Sequence, residues 1–549
     1  MTSILPNQRL TARFVGSLAA LALFMGACGS DEGSDADSES TEQPESESTE
    51  QPESESTEQP DDASGGDDSE LIISIGSEPG SLDPHALTAG TDEVFALNVF
   101  ERLLERDVDG KQVPGIATEY SVSEDGTEFT FELREGVKFH NGDTVTAEDV
   151  KYSFESFVDP ELGNTFAYLL RTFESAEIVD EDTVIIHLTE YDAKFLPGGA
   201  FARIVPKNFI EENGREHFAE NPVGTGPLKF VDRKIRESFT LERFDDYWGE
   251  AAGYERYEFR IAPDANARVS ALRSGEVDLI SQVPPQNLEQ LQNETGLKVE
   301  KGYTADNVWV KFGTIEGDVP WGDARVREAM DLAIDKEAIV EEIQNNLGLF
   351  FAGVAPLNGG FDRVDYEQRP YDPDRARELL AEAGYADGFD IGMTTPVNGR
   401  LPASEQTFQA IAGFWSEIGI NANVEVIEYS QWVQSMRRES ALEGVTQGLH
   451  GDYNTYDPQD RMQTHFPCDA PYGVLCDPVF DEMLEAVAST VDATTREDLY
   501  IDAFRYLYID QTHFIPLYSS QQAYAMADDV CWIPRYGNAF VDAARADPC

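Results

Sequence analysis

The sequence predicts a mixed α/β fold, and three features carry that reading. Apolar residues recur at helical spacing in several segments, and short alternating or β-branched runs lie between them. With 41% hydrophobic and 11% aromatic residues over 549 positions, the chain has enough apolar surface to build cores in two to four domains. In chain order, Leu71-Ile72-Ile73-Ser74-Ile75-Gly76 reads as a short apolar strand stopped by glycine. Phe129, Phe131 and Leu133 alternate with Thr130 and Glu132, the pattern of a half-buried strand. Asn141-Gly142 signals a turn, and Thr146 with Asp149 makes a capping box that opens a helix whose Val150, Phe154 and Phe157 share one face. Another helical face is Val326, Ala329, Met330 and Ala333 behind an Asp323 cap. Asn423-Val424-Glu425-Val426-Ile427 reads as a strand. Two more helical faces follow, Phe480, Met483, Leu484 and Val487, then Tyr500, Ala503, Phe504 and Leu507.

Charge excludes one class of function. With 104 Asp and Glu against 40 Lys and Arg, the formal charge is −64. A general nucleic-acid binder needs basic patches that displace counterions from phosphates, and docking on anionic lipid through protein charge needs the same. The excess is uneven: +2 over residues 1–27, −17 over 31–70 and −49 over 71–549, so the folded body is itself very acidic.

At the N-terminus, Arg9 and Arg13 precede an apolar run from Phe14 to Met25, followed by Gly26, Ala27 and Cys28. A basic start, a short apolar stretch and a small-residue exit describe a secretory signal over 1–27. The run is shorter than the roughly 20 apolar residues a membrane-spanning helix needs. Met25-Gly26-Ala27-Cys28 is similar to the bacterial lipoprotein box, with Met where Leu is more usual. That similarity implies cleavage before Cys28 and lipidation of its thiol. Residues 28–70 read as an acidic low-complexity tether, in which Thr41-Glu42-Gln43-Pro44-Glu45-Ser46-Glu47-Ser48 recurs as 49–56 and starts again at Thr57. The octapeptide has no aliphatic or aromatic residue with which to offset ordering entropy. As a random coil such a tether spans on the order of 35–40 Å.

The body carries a longer co-linear series of landmarks. It runs through Ser81-Leu82-Asp83-Pro84-His85, Phe139-His140-Asn141-Gly142, Thr146-Ala147-Glu148-Asp149-Val150 and Asn221-Pro222-Val223-Gly224-Thr225-Gly226-Pro227. It continues through Arg273-Ser274-Gly275-Glu276-Val277-Asp278, Asp323-Ala324-Arg325-Val326-Arg327, Ala381-Glu382-Ala383-Gly384-Tyr385, Gly451-Asp452-Tyr453 and Phe514-Ile515-Pro516-Leu517-Tyr518. Over about 71–525 the chain resembles the family 5 solute-binding proteins of ABC importers, which include periplasmic peptide- and nickel-binding proteins. The resemblance implies a two-lobed periplasmic-binding-protein-like fold (type II) with a ligand cleft between lobes. Carried over, lobe I is 71–101, 191–302 and 524–549, an extra domain is 102–190, and lobe II is 303–523. It implies capture of a small solute, most of all a di- or oligopeptide, by a monomer anchored through lipid alone. Membrane permease and ATPase subunits are the implied partners, with no cofactor.

The implied site centres on Gly451-Asp452-Tyr453. In peptide-binding relatives an aspartate at this motif pairs with the ligand's α-ammonium group, and Asp452 matches it; a buried carboxylate suits a primary amine because both charges leave water together. Tyr453 stacks or hydrogen-bonds in the cleft on this reading, or packs in a core. The residues before it, Gln447-Gly448-Leu449-His450, lack the arginine that some oligopeptide binders use for a carboxylate, and Arg400 is a weak substitute. His450 invites a nickel reading, but only seven histidines are present and none has paired spacing, so no metal site is expected. Trp309, Trp415 and Trp432 serve as aromatic walls or, more simply, as core; Trp432 is retained as a candidate wall. Gly224-Thr225-Gly226-Pro227 cannot open a helix to hold pyrophosphate, and reads as a tight turn lining the hinge or cleft. No nucleophile elbow, zinc helix or Gly-Lys-Ser/Thr phosphate loop stands out, which argues against an extracellular hydrolase. An oligosaccharide or a nickel complex remains an alternative ligand, and a receptor acting without a permease an alternative role. Setting Cys28 aside leaves four cysteines, for which proximity favours Cys468–Cys476 and Cys531–Cys549 among three connectivities.

Overall fold

The computed structural model describes residues 69–87, 90–196, 198, 202–313, 319–349, 369–396, 403–436, 444–451, 457–468, 470, 472 and 476–549. Among them, a sheet of eleven strands organises the body. Its order is Ile420–Ile427, Phe389–Pro396, Val445–Gly451, Leu297–Phe312, Phe514–Ala527, Leu279–Ile280, Glu70–Ile75, Arg256–Ile261, Ser238–Arg243 and Leu228–Lys234, with Gly348–Leu349 paired beside Phe514–Ala527. Leu297–Phe312 and Phe514–Ala527 cross from one half to the other as an antiparallel pair. Residues 297–303 pair with 521–527 and residues 307–311 with 514–519, with register shifts between Tyr303 and Asn307 and between Val308 and Trp309.

Each half buries its own core. In the first half, Glu70–Ile75 lies parallel to Arg256–Ile261 and Leu279–Ile280, and Leu71, Ile73, Phe95, Phe239, Tyr257 and Tyr524 pack together. Phe239 stacks on Phe259 at 4.5 Å between ring centres. In the second half, Phe389–Pro396 runs parallel to both Ile420–Ile427 and Val445–Gly451. Val308, Val310, Met330, Phe408, Trp415 and Trp432 fill that core, and the Trp415 indole donates 2.8 Å to the Met330 carbonyl. A separate cluster of Trp309, Phe466, Phe480, Phe504 and Phe514 lies under the last helices. These helices are capped as their sequences require: the carboxylates of Asp323, Asp477 and Asp492 accept first-turn amides of their own helices.

A four-stranded sheet, Ala117–Val122, Glu128–Leu133, Thr183–Leu188 and Phe173–Ile178 in that spatial order, forms a third centre. The helix Ala147–Phe157 covers it with Val150, Phe154 and Phe157, and its Thr146–Asp149 capping box is formed. This core extends past residue 190 to Phe195, Ala202 and Ile204.

Three of the landmark motifs turn out to be joints between these parts. Asp83 receives Arg215 through both oxygens, Nη2 at 2.7 Å and Nε at 2.5 Å. Arg215 also donates 2.7 Å to the Ser156 hydroxyl, which leaves that hydroxyl to donate to His85 Nδ1 at 2.9 Å while His85 Nε2 donates to the Arg203 carbonyl at 2.8 Å. Burial, with Arg215 nearby, pushes His85 down to about 3, so the ring is neutral. His140 works the same way: its Nε2 donates 2.9 Å to the Gly226 carbonyl and its Nδ1 accepts the Gly224 amide at 3.2 Å. The Gly224-Thr225-Gly226 turn is held by His140 and close-packed on one side. It is pressed on the C-terminal end of the helix Glu93–Val99, where a Cβ on Gly224 would sit 2.0 Å from the Val99 carbonyl oxygen. Beside it, Glu101 accepts from the Tyr247 hydroxyl at 2.8 Å and the Trp248 indole at 3.1 Å, and Arg134 lies 3.9 Å over the Trp248 ring. Burial, then the neighbouring Glu105, pushes the Glu101 carboxyl up to about 7. Disulfides join Cys468 to Cys476 and Cys531 to Cys549.

Two outcomes are expected. Gly224→Ala forces a methyl into backbone and lowers stability by about 2 kcal/mol or more in chemical denaturation; an unchanged midpoint contradicts the close packing. Glu101 holds its proton more tightly folded than unfolded. Its contribution is therefore fully present below about pH 4.5 and is lost as pH rises through about 7. Melting curves from pH 5 to 8 should show the wild type losing stability relative to Glu101→Gln, by on the order of 2–3 kcal/mol. Parallel curves refute the raised carboxyl.

Candidate functional site

The two halves meet where the crossing strands change register, and the residues there are polar and buried. Thr304, Asp306, Asn307, Ser519 and Ser520 are each no more than 5% exposed. The Thr304 hydroxyl donates 3.1 Å to the Ser520 carbonyl, and the Ser519 hydroxyl donates to Asn307 Oδ1. A run of hydroxyl, carboxylate and amide side chains buried between two hydrophobic cores costs desolvation, which hydrogen bonds offset. On the first-half side, the Tyr303 ring packs 4.6 Å from Tyr536 and its carbonyl accepts the Gly537 amide at 2.8 Å, so the C-terminal segment braces the crossing.

The strand Val445–Gly451 brings Gly451, the first residue of the implied motif, to this place. It pairs antiparallel with the crossing strand, His450 opposite Asn307 and Gly451 opposite Asp306, and it ends there. Gly448, opposite Trp309, has no Cβ because one would lie 1.8 Å from the indole nitrogen. The ring therefore lies across the strand and ties it to the cluster beneath. Two positions further along the same crossing strand, past Val310, Lys311 donates to the Met436 carbonyl at 2.7 Å and the Tyr472 carbonyl at 2.6 Å. Burial pushes its amine down to about 7. That amine fastens both the end of the helix Tyr429–Ser435 and the loop enclosed by Cys468–Cys476 to the sheet.

Of the residues singled out in the sequence, His450 is placed by its backbone beside Asn307. Trp432 is 1% exposed and packed in the second core, so the fold uses its ring for packing and not as the wall of a cleft. Trp309 and Trp415 are likewise core. Asp452, Tyr453, Arg400 and Cys28 lie outside the described residues. Sequence reasoning passed over Thr304, Asp306, Asn307, Ser519 and Ser520. The signal was present: Thr304-Ala305-Asp306-Asn307 interrupts an apolar strand, and Ser519-Ser520 interrupts another, but nothing local aligns the two.

Two cores on one continuous sheet, joined by a pair of crossing strands with buried polar residues at the crossing, define a two-lobed binding protein of the periplasmic type II class. The chain belongs to the bacterial extracellular solute-binding proteins, family 5, the binding proteins of ABC importers; the profile of that family's middle region matches residues 111–471. It is 29% identical over 474 residues to di/tripeptide-binding protein 1 of Pseudomonas aeruginosa, covering 79% of this chain and 86% of that one. It is 28% identical over 463 residues to heme-binding protein A of Haemophilus influenzae, covering 79% and 80%. Its fold matches that of the ABC transporter-associated periplasmic binding protein DppA of Helicobacter pylori, solved with the peptide STSA, at a TM-score of 0.71 and 24% identity over 87% of this chain and 98% of that one. No helix among the described residues is long and apolar enough to cross a membrane.

Proposed function

We propose that this chain is the lipid-anchored receptor of a peptide importer. Held by Cys28 and swung on the tether 28–70, it captures a di- or oligopeptide between lobe I (71–101, 191–302, 524–549) and lobe II (303–523), with 102–190 as an added domain. It passes the peptide unaltered to a permease driven by ATPase subunits, acting as a monomer without catalysis. The observation that best supports this reading is the junction of the crossing strands. A strand ending in Gly451 runs into a buried polar crossing, and the next residue is Asp452.

Asp452 is the carboxylate for the ligand's α-ammonium group, with Tyr453 and His450 flanking it and Arg400 a candidate for the ligand carboxylate. A closed form that buries the ligand is favoured by its greater affinity for that ligand, so binding shifts the balance of open and closed states. The relatives' recorded ligands favour peptides, with heme the second reading on the strength of the Haemophilus influenzae relative.

Calorimetric titration of the purified chain with alanyl-phenylalanine and with hemin tests this. Peptide binding is expected, and Asp452→Ala should weaken it by about 2 kcal/mol or more, on the order of 30-fold. Unchanged affinity removes Asp452 from the site. Hemin binding without peptide binding replaces the ligand class, and cleaved peptide in the cell after titration overturns the non-catalytic reading.

A further inference from the structure

We propose that Asn307 is a specificity-determining residue of the cleft, donating its side-chain amide to an oxygen of the bound peptide. The inference rests on the peptide-binding reading above and names a residue that reading lacks. Asn307 is 2% exposed and stands at the first paired position after the register break, opposite Ser519 on one side and His450 on the other. The next two residues, Val308 and Trp309, enter the two cores of the second half, so Asn307 is the last polar position before packing takes over.

Its amide is held in one orientation. The Ser519 hydroxyl donates to Oδ1, which leaves Nδ2 as the donor edge of the amide. On the edge opposite Phe514–Ala527, Asn307 pairs with the strand that ends at Gly451. Nδ2 is buried and has no hydrogen-bond partner among the described residues. A buried N–H without an acceptor is a standing cost, and such donors are rare in folded proteins unless something else supplies the acceptor. The side chain is also amidic where its chain neighbour Asp306 is a carboxylate. An uncharged donor tolerates a ligand carbonyl or carboxylate oxygen, whereas a second carboxylate would repel it. With Asp452 taking the ammonium end, Asn307 supplies the complementary donor for an oxygen further along the peptide.

Two peptide oxygens share this chemistry, the amide carbonyl and the terminal carboxylate, and the ligand distinguishes them. Titrations would use alanyl-phenylalanine, its thioxo analogue with sulfur at the peptide carbonyl, and its C-terminal amide. These would be run against the wild type, Asn307→Leu and Asp452→Ala, each checked for an unchanged melting curve. The expected result is a roughly tenfold loss for Asn307→Leu with the natural dipeptide. The wild type should show a similar loss with whichever analogue lacks the recognised oxygen, and Asn307→Leu no further loss with that same analogue. The wild-type titrations with the analogues stand even if Asn307→Leu fails to fold, and a wild type indifferent to both overturns the proposal. So does an analogue penalty that persists in full in Asn307→Leu, because the residue then acts through the crossing and not by contact. Full affinity in Asn307→Leu with a weakened Asp452→Ala overturns this inference alone. Full affinity in both variants, or no dipeptide uptake by the wild type, overturns it together with the reading on which it rests.

Discussion

The architecture depends on one hydrogen-bonded ladder that passes through both lobes and breaks register where they meet. Leu297–Phe312 and Phe514–Ala527 share pairs on both sides of residues 304–306, so the lobes are tied laterally by main-chain bonds that cannot be given up cheaply. The break concentrates irregular backbone in a few residues, as a bulge does, and raises the local twist there. On either side the cores are close-packed and stiff. Any change in the angle between lobes therefore falls on the break and its polar residues, and these stand beside the strand that ends in Gly451.

Most of the molecule's unusual hydrogen bonding serves rigidity. The Asp83–Arg215–Ser156–His85 network and the His140–Gly226 bond join the first half to the third core through neutral imidazoles, that of His85 fully buried. Neither ring is poised to titrate near neutrality, because burial drives both well below the ordinary histidine range. Their role is to hold one tautomer with both nitrogens used. The net charge is a property of the body as a whole, −49 over residues 71–549, and like-charge repulsion of this size opposes association.

What was legible in the sequence was local. The capping box at Thr146 and Asp149, the Asp323 cap, the alternating strand at Phe129–Leu133 and the helical faces after Ala324 and Pro478 all formed where their spacing placed them. A cap or an amphipathic face is decided within about one turn of chain. The proposed site was legible only through family resemblance, at Gly451-Asp452-Tyr453. Asn307 and Ser519 are 212 residues apart, and no local pattern brings them together. The packing of the glycine turn at 224–226 was hidden for the same reason. The lack of a Cβ at Gly224 answers to Val99, over a hundred positions upstream. Trp432 fits both a cleft wall and a core by residue type, and its burial decides between them.

The central claim is that two lobes hinged on this ladder enclose an intact peptide. Small-angle X-ray scattering of the purified chain, with and without saturating alanyl-phenylalanine, tests it most directly. The account predicts a smaller radius of gyration and a shorter maximum dimension with peptide, both reversing when the peptide is dialysed away. Superimposable profiles at proven saturation would contradict it.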